Sequence, residues 1–337
     1  MHLLLGSLPF ISIIVPVYQS EDYIKECLSS VVAQDYSGRV ECILVDDCGE
    51  DASIEITHSF IDSYEGDIEF RVYSHSHSRG AAAARNTGIR HACGDYLFFL
   101  DSDDKLSPDA LSKLSSPLQN RQYDIVVGRC KETGLREKVS NSLPDGTVLH
   151  GTDLRDSFFC GNISESVCNK LIKALFIDTN HLFFHEGIIF EDDLWTFRAA
   201  ISARSLFIVD SITYFYTVHE GSVMTSSCRK KRIDSYRIVL REMYHSADDY
   251  HLLKSFVCHD RIERFKIRLF RELVDDWPSF HNEYISLHDS VHYSWYDCIL
   301  MNKWHIIKLF RDFHFALPTS TGAICYFLYI KAKVLIG

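Results

Sequence analysis

Three short apolar runs stop abruptly at polar residues, and this pattern constrains the fold more than any other feature of the chain. Residues 10–15 (FISIIV) end at Pro16, residues 40–45 end in Asp46-Asp47, and residues 96–100 (YLFFL) end in Asp101-Ser102-Asp103-Asp104. Runs this short and unbroken read as strands buried on both faces. Helix-forming segments separate them. Ile24, Leu28, Val31 and Val32 recur at helical spacing. Ser20 is placed to cap that helix, and Glu21 and Asp22 put negative charge at its first turn. A second helix is expected over 52–63 and a third strand over 68–73. In GAAAARNTGIRHACG (80–94) consecutive alanines favour helix and allow close approach to a sheet. Gly94 stands where a glycine would stop that helix. Ser107-Pro108 reads as an N-cap followed by a proline at the first helical position.

This alternation predicts an α/β fold with a mostly parallel sheet flanked by helices. In such sheets ligands bind beyond the carboxyl ends of the strands. Three polar corners should therefore meet on one rim: Pro16-Val17-Tyr18, Asp46-Asp47 and Asp101–Asp104. Asp101 and Asp103, one residue apart, offer hard oxygen ligands for Mg²⁺ or Mn²⁺, and the competing reading is an acidic turn that caps the next helix. Asp46 is placed to accept a ligand N–H, whereas Asp47 reads as a solvated turn acid. Tyr18 either stacks on a base or covers the sheet edge. Arg85, a cation among alanines, either faces a diphosphate or the Asp cluster, or forms a structural ion pair.

Composition narrows the class. Of 337 residues 46% are apolar and 24% charged, as in soluble globular proteins, and the formal charge of −11 disfavours a general nucleic-acid binder. Eleven cysteines show no C-x-x-C spacing, which points to a reducing, intracellular setting; Cys42 and Cys93 read as small hydrophobes. The first ten residues lack the basic start of a signal peptide, and no apolar stretch reaches the roughly 18–20 residues of a membrane span.

PVYQSEDYIKECLSSVVAQ, VDDCGEDAS, GAAAARNTGIRHACGDYLFFLDSDD, CNKLI and EGIIFEDD, in that order over about residues 10–225, resemble a family 2 glycosyltransferase. VDDCGEDAS departs from the family's usual Gly-Ser-Thr-Asp turn but keeps Asp46. The resemblance implies a GT-A (Rossmann-like) fold and an inverting transferase using a nucleotide-diphosphate sugar, often a UDP-sugar, with Mn²⁺ or Mg²⁺. By motif, the donor site would comprise Pro16, Tyr18, Glu21, Asp46, Arg85, Asp101, Ser102 and Asp103. Asp103 would be the first metal ligand, and Asp101 would meet ribose or a metal-bound water.

Phe190-Glu191-Asp192-Asp193 opens a helix with apolar spacing at 190, 194, 197 and 201. Acids there suit the helix dipole. The family's Glu-Asp motif aligns with Glu191-Asp192, which makes Asp192 the expected general base. Asp193 is its rival by one position, and Glu191 would orient the acceptor or backbone. Lys170 in CNKLI lies near phosphate or acceptor, or simply packs. His219 is a further candidate for diphosphate or metal. His181 and His185 lie four apart, but their LFF neighbours argue against a helix.

Arg229-Lys230-Lys231-Arg232 marks a composition shift. It separates an expected catalytic domain (1–228, donor half about 10–110, acceptor half about 111–228) from a helical C-terminal region (229–337). In that region Ile233, Tyr236, Leu240, Met243 and Tyr244 mark one helix and residues 256–274 another, broken at Trp277-Pro278. No Asp or Glu follows Asp312, whereas Lys303, Lys308, Arg311, Lys331 and Lys333 are present. Such an end either rests on an anionic membrane surface or packs on the core. The first option suits a cytoplasmic enzyme, peripheral to the inner face of the membrane, that acts on a saccharide or lipid-linked saccharide. Two other classes compete: a sugar-nucleotide-binding protein without catalysis, and a phosphorelay receiver, which would leave DSDD and EDD unexplained.

Overall fold

The computed structural model describes residues 7–134, 143–218, 228–290, 298, 308 and 311–336. The chain forms two compact units, 1–226 and 227–337.

In the first unit, β1 (Ile11–Val17), β2 (Val40–Asp46), β3 (Glu69–Ser74) and β4 (Tyr96–Phe99) alternate with α1 (Ile24–Val32), α2 (Ser53–Asp62) and α3 (Ala81–His91). The strands pair in parallel in the order β3-β2-β1-β4. Ile11, Ile13, Ile14 and Val15 are fully buried, as are Cys42–Val45 and Phe98–Phe99, which is what an apolar run covered on both faces requires. β1 runs through Pro16, whose register partner on β2 is Val45. Alternate residues of a strand turn their backbone groups to opposite neighbours. Val17 O accepts from Asp47 N on the β2 side, whereas Ile14 O accepts from Leu100 N on the β4 side. Pro16 therefore faces the β4 side, beyond the last β1–β4 pair, Ile14 and Phe99, so its missing N–H costs no ladder bond.

Past β4 the sheet becomes mixed. β5 (Lys105–Leu106), α4 (Ala110–Ser115), β6 (Ile125–Gly134), β7 (Val148–His150), α5 (Gly151–Phe159), β8 (Lys170–Lys173), α6 (Ala174–Thr179), α7 (Glu191–Ser202) and β9 (Ser205–Val218) follow in chain order. β8 lies antiparallel between β4 and β6, β6 and β9 run parallel, and β5 and β7 both pair antiparallel with β9.

Several local expectations are corrected. Ser20 does not cap α1 with its side chain. Its Oγ lies 3.4 Å from Ser53 Oγ, and its carbonyl takes the Tyr23 and Ile24 amides. Ser107 likewise serves through its carbonyl, accepting from Ala110 N at 3.0 Å, and α4 begins two residues after Pro108. Gly94 is not a left-handed stop; α3 ends on extended Ala92. A β-carbon at Gly94 would lie 2.6 Å from Ser12 Oγ and 2.9 Å from Phe10 O. Close approach to β1 is what demands glycine there. Cys93 is exposed rather than a small core hydrophobe.

The second unit contains α8 (Arg229–Asp249), α9 (Phe256–Leu273), α10 (Trp277–Ser290) and α11 (Thr319–Ile336). Tyr236, Leu240 and Met243 of α8 are buried, with Phe265, Leu269, Phe270, Phe280 and Tyr326. Lys308 and Arg311 bind Asp260 at 3.1 and 2.7 Å, and Arg311 also holds Asp312. Part of the positive charge expected at this end is thus neutralised internally. Among the described residues no helix is long and apolar enough to cross a membrane.

Candidate active site

The site grows from α3. Ala82, Ala83 and Ala84 are buried, and a β-carbon at Gly88 would overlap the Ile14 side chain of β1. Small residues thus let this helix lie directly on the sheet. It carries Arg85, whose side chain is only 5% exposed. A buried guanidinium is stabilised by acceptors on its donors, and both terminal nitrogens of Arg85 have them. Arg85 Nη2 donates to Asp101 Oδ1 at 2.9 Å, and Nη1 donates to Glu191 Oε1 and Asp192 Oδ1, each at 3.0 Å. One cation thereby joins the turn after β4 to the first turn of α7. The next residue, Asn86, does the same for the backbone ahead of α7. Its amide accepts from Phe184 N at 2.8 Å and donates to Phe184 O at 2.9 Å and Glu186 Oε1 at 3.0 Å.

Burial pushes the Asp192 carboxyl up to about 7, with Arg85 opposing the shift and Glu191, Asp101 and Asp193 adding to it. Burial, with the charges of Asp101 and Asp103, also pushes Asp104 up to about 8. Asp104 is fully buried. Burial lowers the Lys170 ammonium to about 8.

Asp101, Arg85, Glu191 and Asp192 form one cluster. Ser102 is buried and Asp103 half-buried on the same turn, and Asp193 follows on α7. Asp46 ends β2 in register with Val17, and its Oδ1 accepts from Cys48 N at 2.9 Å. Pro16 is half-buried and Tyr18 is 45% exposed on the same rim. Glu21 accepts from Ala52 N at 3.0 Å and so braces the start of α2. Lys170 points into its own loop and donates to the carbonyls of Ser164 and Ser166, the packing alternative of its two readings. His219 lies outside the described residues.

Asp47 is not a solvated turn acid. It is buried and accepts from Ser78 Oγ, Arg79 N and Gly80 N, with His75 Nδ1 2.7 Å away. It thus fixes the loop that launches α3. Asn86, Asp104 and Tyr214 were missed as well. The ARN block carried a signal for Asn86, since a polar residue beside Arg85 on an otherwise small-residue helix needs a partner.

The donors fit a hard divalent cation. Asp101 has one carboxylate oxygen on Arg85 and the other 3.3 Å from the Cys168 thiol. Among the described residues no group of three or more His, Cys, Asp or Glu is arranged to hold a metal alone. One or two carboxylates completed by phosphate oxygens is the usual arrangement for Mg²⁺-type sites.

Residues 12–168 match the family model for glycosyl transferase family 2. Over this segment the chain is similar to that family. Similar proteins include a poly(ribitol-phosphate) beta-glucosyltransferase of Bacillus spizizenii, 33% identical over 214 residues, covering 62% of this chain and 32% of the relative. The poly(ribitol-phosphate) beta-N-acetylglucosaminyltransferase TarS of Staphylococcus aureus is 27% identical over 224 residues, covering 64% and 37%. The chain thus spans about a third of the length of these two relatives. The crystal structure of S. aureus TarS 1–349 in complex with UDP-GlcNAc matches with a TM-score of 0.67 at 19% identity, over 96% of this chain and 91% of that one. The mannosyltransferase PcManGT from Pyrobaculum calidifontis, in complex with GDP-Man and Mn²⁺, matches with a TM-score of 0.54 at 15% identity, over 98% and 88%. The shared architecture is the GT-A fold, here with a helical C-terminal region.

Proposed function

We propose that this chain is an inverting glycosyltransferase of family 2. It moves a sugar from a nucleotide-diphosphate sugar, a UDP-sugar in the first instance, to a hydroxyl of a saccharide or lipid-linked saccharide in surface polysaccharide synthesis. The carrying observation is the Arg85 junction, which sets a metal-type acidic turn beside a half-buried carboxylate whose pKa of about 7 suits a general base. The TarS complex with UDP-GlcNAc supports a UDP-sugar donor.

In this reading Pro16 and Tyr18 flank the base and Asp46 meets its N–H edge. Asp103, with Asp101 behind it, would hold Mn²⁺ or Mg²⁺, whose charge stabilises the departing diphosphate. Asp192 takes the acceptor proton as the oxygen attacks the anomeric carbon from the opposite face. Glu191 shares Arg85 and steadies Asp192. A single displacement inverts the configuration, and the site residues include no second carboxylate assigned as a nucleophile.

A thermal-shift panel of UDP, UDP-sugars and GDP-mannose, with and without Mn²⁺, tests the donor. A ligand at a hundredfold its Kd stabilises the fold by about 2.7 kcal/mol. The expected result is a Mn²⁺-dependent shift with UDP or a UDP-sugar, and a flat panel overturns the reading. A sugar-nucleotide-binding protein without catalysis would give the shift but no transfer, and its Asp192→Asn variant would behave as wild type.

For the helical unit the proposed contact is an anionic membrane surface at the cytoplasmic face. α11 exposes Ile324, Leu328 and Leu335, and Lys331 and Lys333 are exposed on the same helix. No acid follows Asp312 to oppose anionic lipid. Co-sedimentation with phosphatidylserine vesicles but not phosphatidylcholine vesicles is expected; equal partition into both, or none, overturns it.

A further inference from the structure

We propose that Asp104 and Tyr214 form a positioning pair that sets the backbone of the Asp101–Asp104 turn and thereby aims its metal-holding carboxylates. The inference rests on the reading of that turn as the cation site.

The chain leaves β4 and has to reverse within five residues, 100–104, to reach β5. The turn's backbone is closed by Asp104 N donating to Asp101 O at 3.1 Å. The Tyr214 hydroxyl then ties both ends together. It accepts from Asp101 N at 3.2 Å and donates to Asp104 Oδ2 at 2.6 Å. Asp104 Oδ1 takes a third bond, from Thr217 N at 2.7 Å. Directly after the turn, Lys105 and Leu106 pair with Phe215 and Tyr214. One stretch of β9 therefore grips the turn through a side chain, an amide and a strand ladder. Asp104 and Tyr214 are both buried, with 1% exposure or less. Neither reaches solvent to meet a ligand, so their effect on the site passes through the geometry of Asp101 to Asp103. Supporting partners of this kind hold ligand residues in productive orientation, and their loss typically weakens metal binding by about 10–100-fold.

The test measures Mn²⁺ affinity by electron paramagnetic resonance in the presence of UDP, and UDP affinity in EDTA by calorimetry, for wild type, Tyr214→Phe, Asp104→Asn and the double variant. Tyr214→Phe keeps the ring and removes only the hydroxyl, so it preserves a readout even where Asp104→Asn impairs folding. The expected result is a Mn²⁺ Kd raised about tenfold in each single variant. UDP affinity in EDTA should stay within twofold of wild type, and the double variant should be no weaker than the weaker single. Mn²⁺ affinity within twofold of wild type in a folded Tyr214→Phe overturns the inference. So does an equal loss of metal-free UDP affinity, which would mark a general packing role. A wild-type chain that binds no Mn²⁺ overturns the metal reading itself and this inference with it.

Discussion

Arg85 donates to Asp192 across 3.0 Å, although 107 positions of chain separate them. The same guanidinium holds Asp101 through its other terminal nitrogen. The acid of the strand-end turn and the acid of the later helix thus share one counter-charge, and the consequences are measurable.

Replacing Arg85 leaves three crowded carboxylates without their cation. Loss of one partner of a buried ionic group costs about 3–5 kcal/mol. Arg85→Met should lose that much in urea denaturation. Arg85→Lys should recover little of it, because an ammonium cannot span the fork that a guanidinium spans. Transfer should drop in both variants.

The pH profile follows from Asp192. As a base it must be ionised, and burial raises its pKa to about 7. kcat/KM should therefore fall roughly tenfold per unit below that pH and level off above it. Asp192→Asn should lose about 10²–10⁴-fold in kcat and the limb near pH 7 with it. The stability sign is opposite. A carboxyl raised in the folded state favours the fold fully below its unfolded pKa, near 4, and that contribution is lost as pH rises through about 7. Melting temperatures read across this window check it.

Asn86→Ala removes three bonds to the segment ahead of α7 and leaves the buried Phe184 amide and carbonyl without them. A loss of about 2–3 kcal/mol is expected. kcat should fall more than donor affinity, because the base helix is loosened while the nucleotide rim is untouched. Steady-state kinetics beside direct UDP binding separate the two.

Gly88→Ala forces a methyl into the Ile14 side chain. Overpacking of this kind costs about 1–3 kcal/mol. In an Ile14→Ala background, which is itself destabilised by its lost packing, the same glycine substitution should cost less, since the atoms that are struck are gone. A double-mutant cycle in denaturant reads that coupling.

Strand positions were legible because burial on both faces favours a mostly apolar run, and β1, β2 and β4 carry one each, interrupted only at Ser12 and Glu41. The predicted topology brought Asp101 to the rim, whereas Asp192 was legible only through the resemblance of Glu191-Asp192 to the family's Glu-Asp motif. The residue that joins them, Arg85, had three readings of equal standing in the sequence. Side-chain caps failed at Ser20 and Ser107 because a carbonyl in the same turn took the helix amides. Asp47 was misread because its partners, residues 75–80, lie beyond a strand and a helix in the chain. Nothing local announces that a turn acid will be enclosed.

Pro16 has a bearing on the site that its place within β1 does not advertise. It stands where the neighbouring strand has already turned away, on the flank from which another segment would otherwise add itself by main-chain bonding. With no hydrogen to offer, that flank cannot be zipped shut. Beside the acidic turn, the end of the first strand is kept from extending its ladder by an imino acid rather than by a bulky side chain.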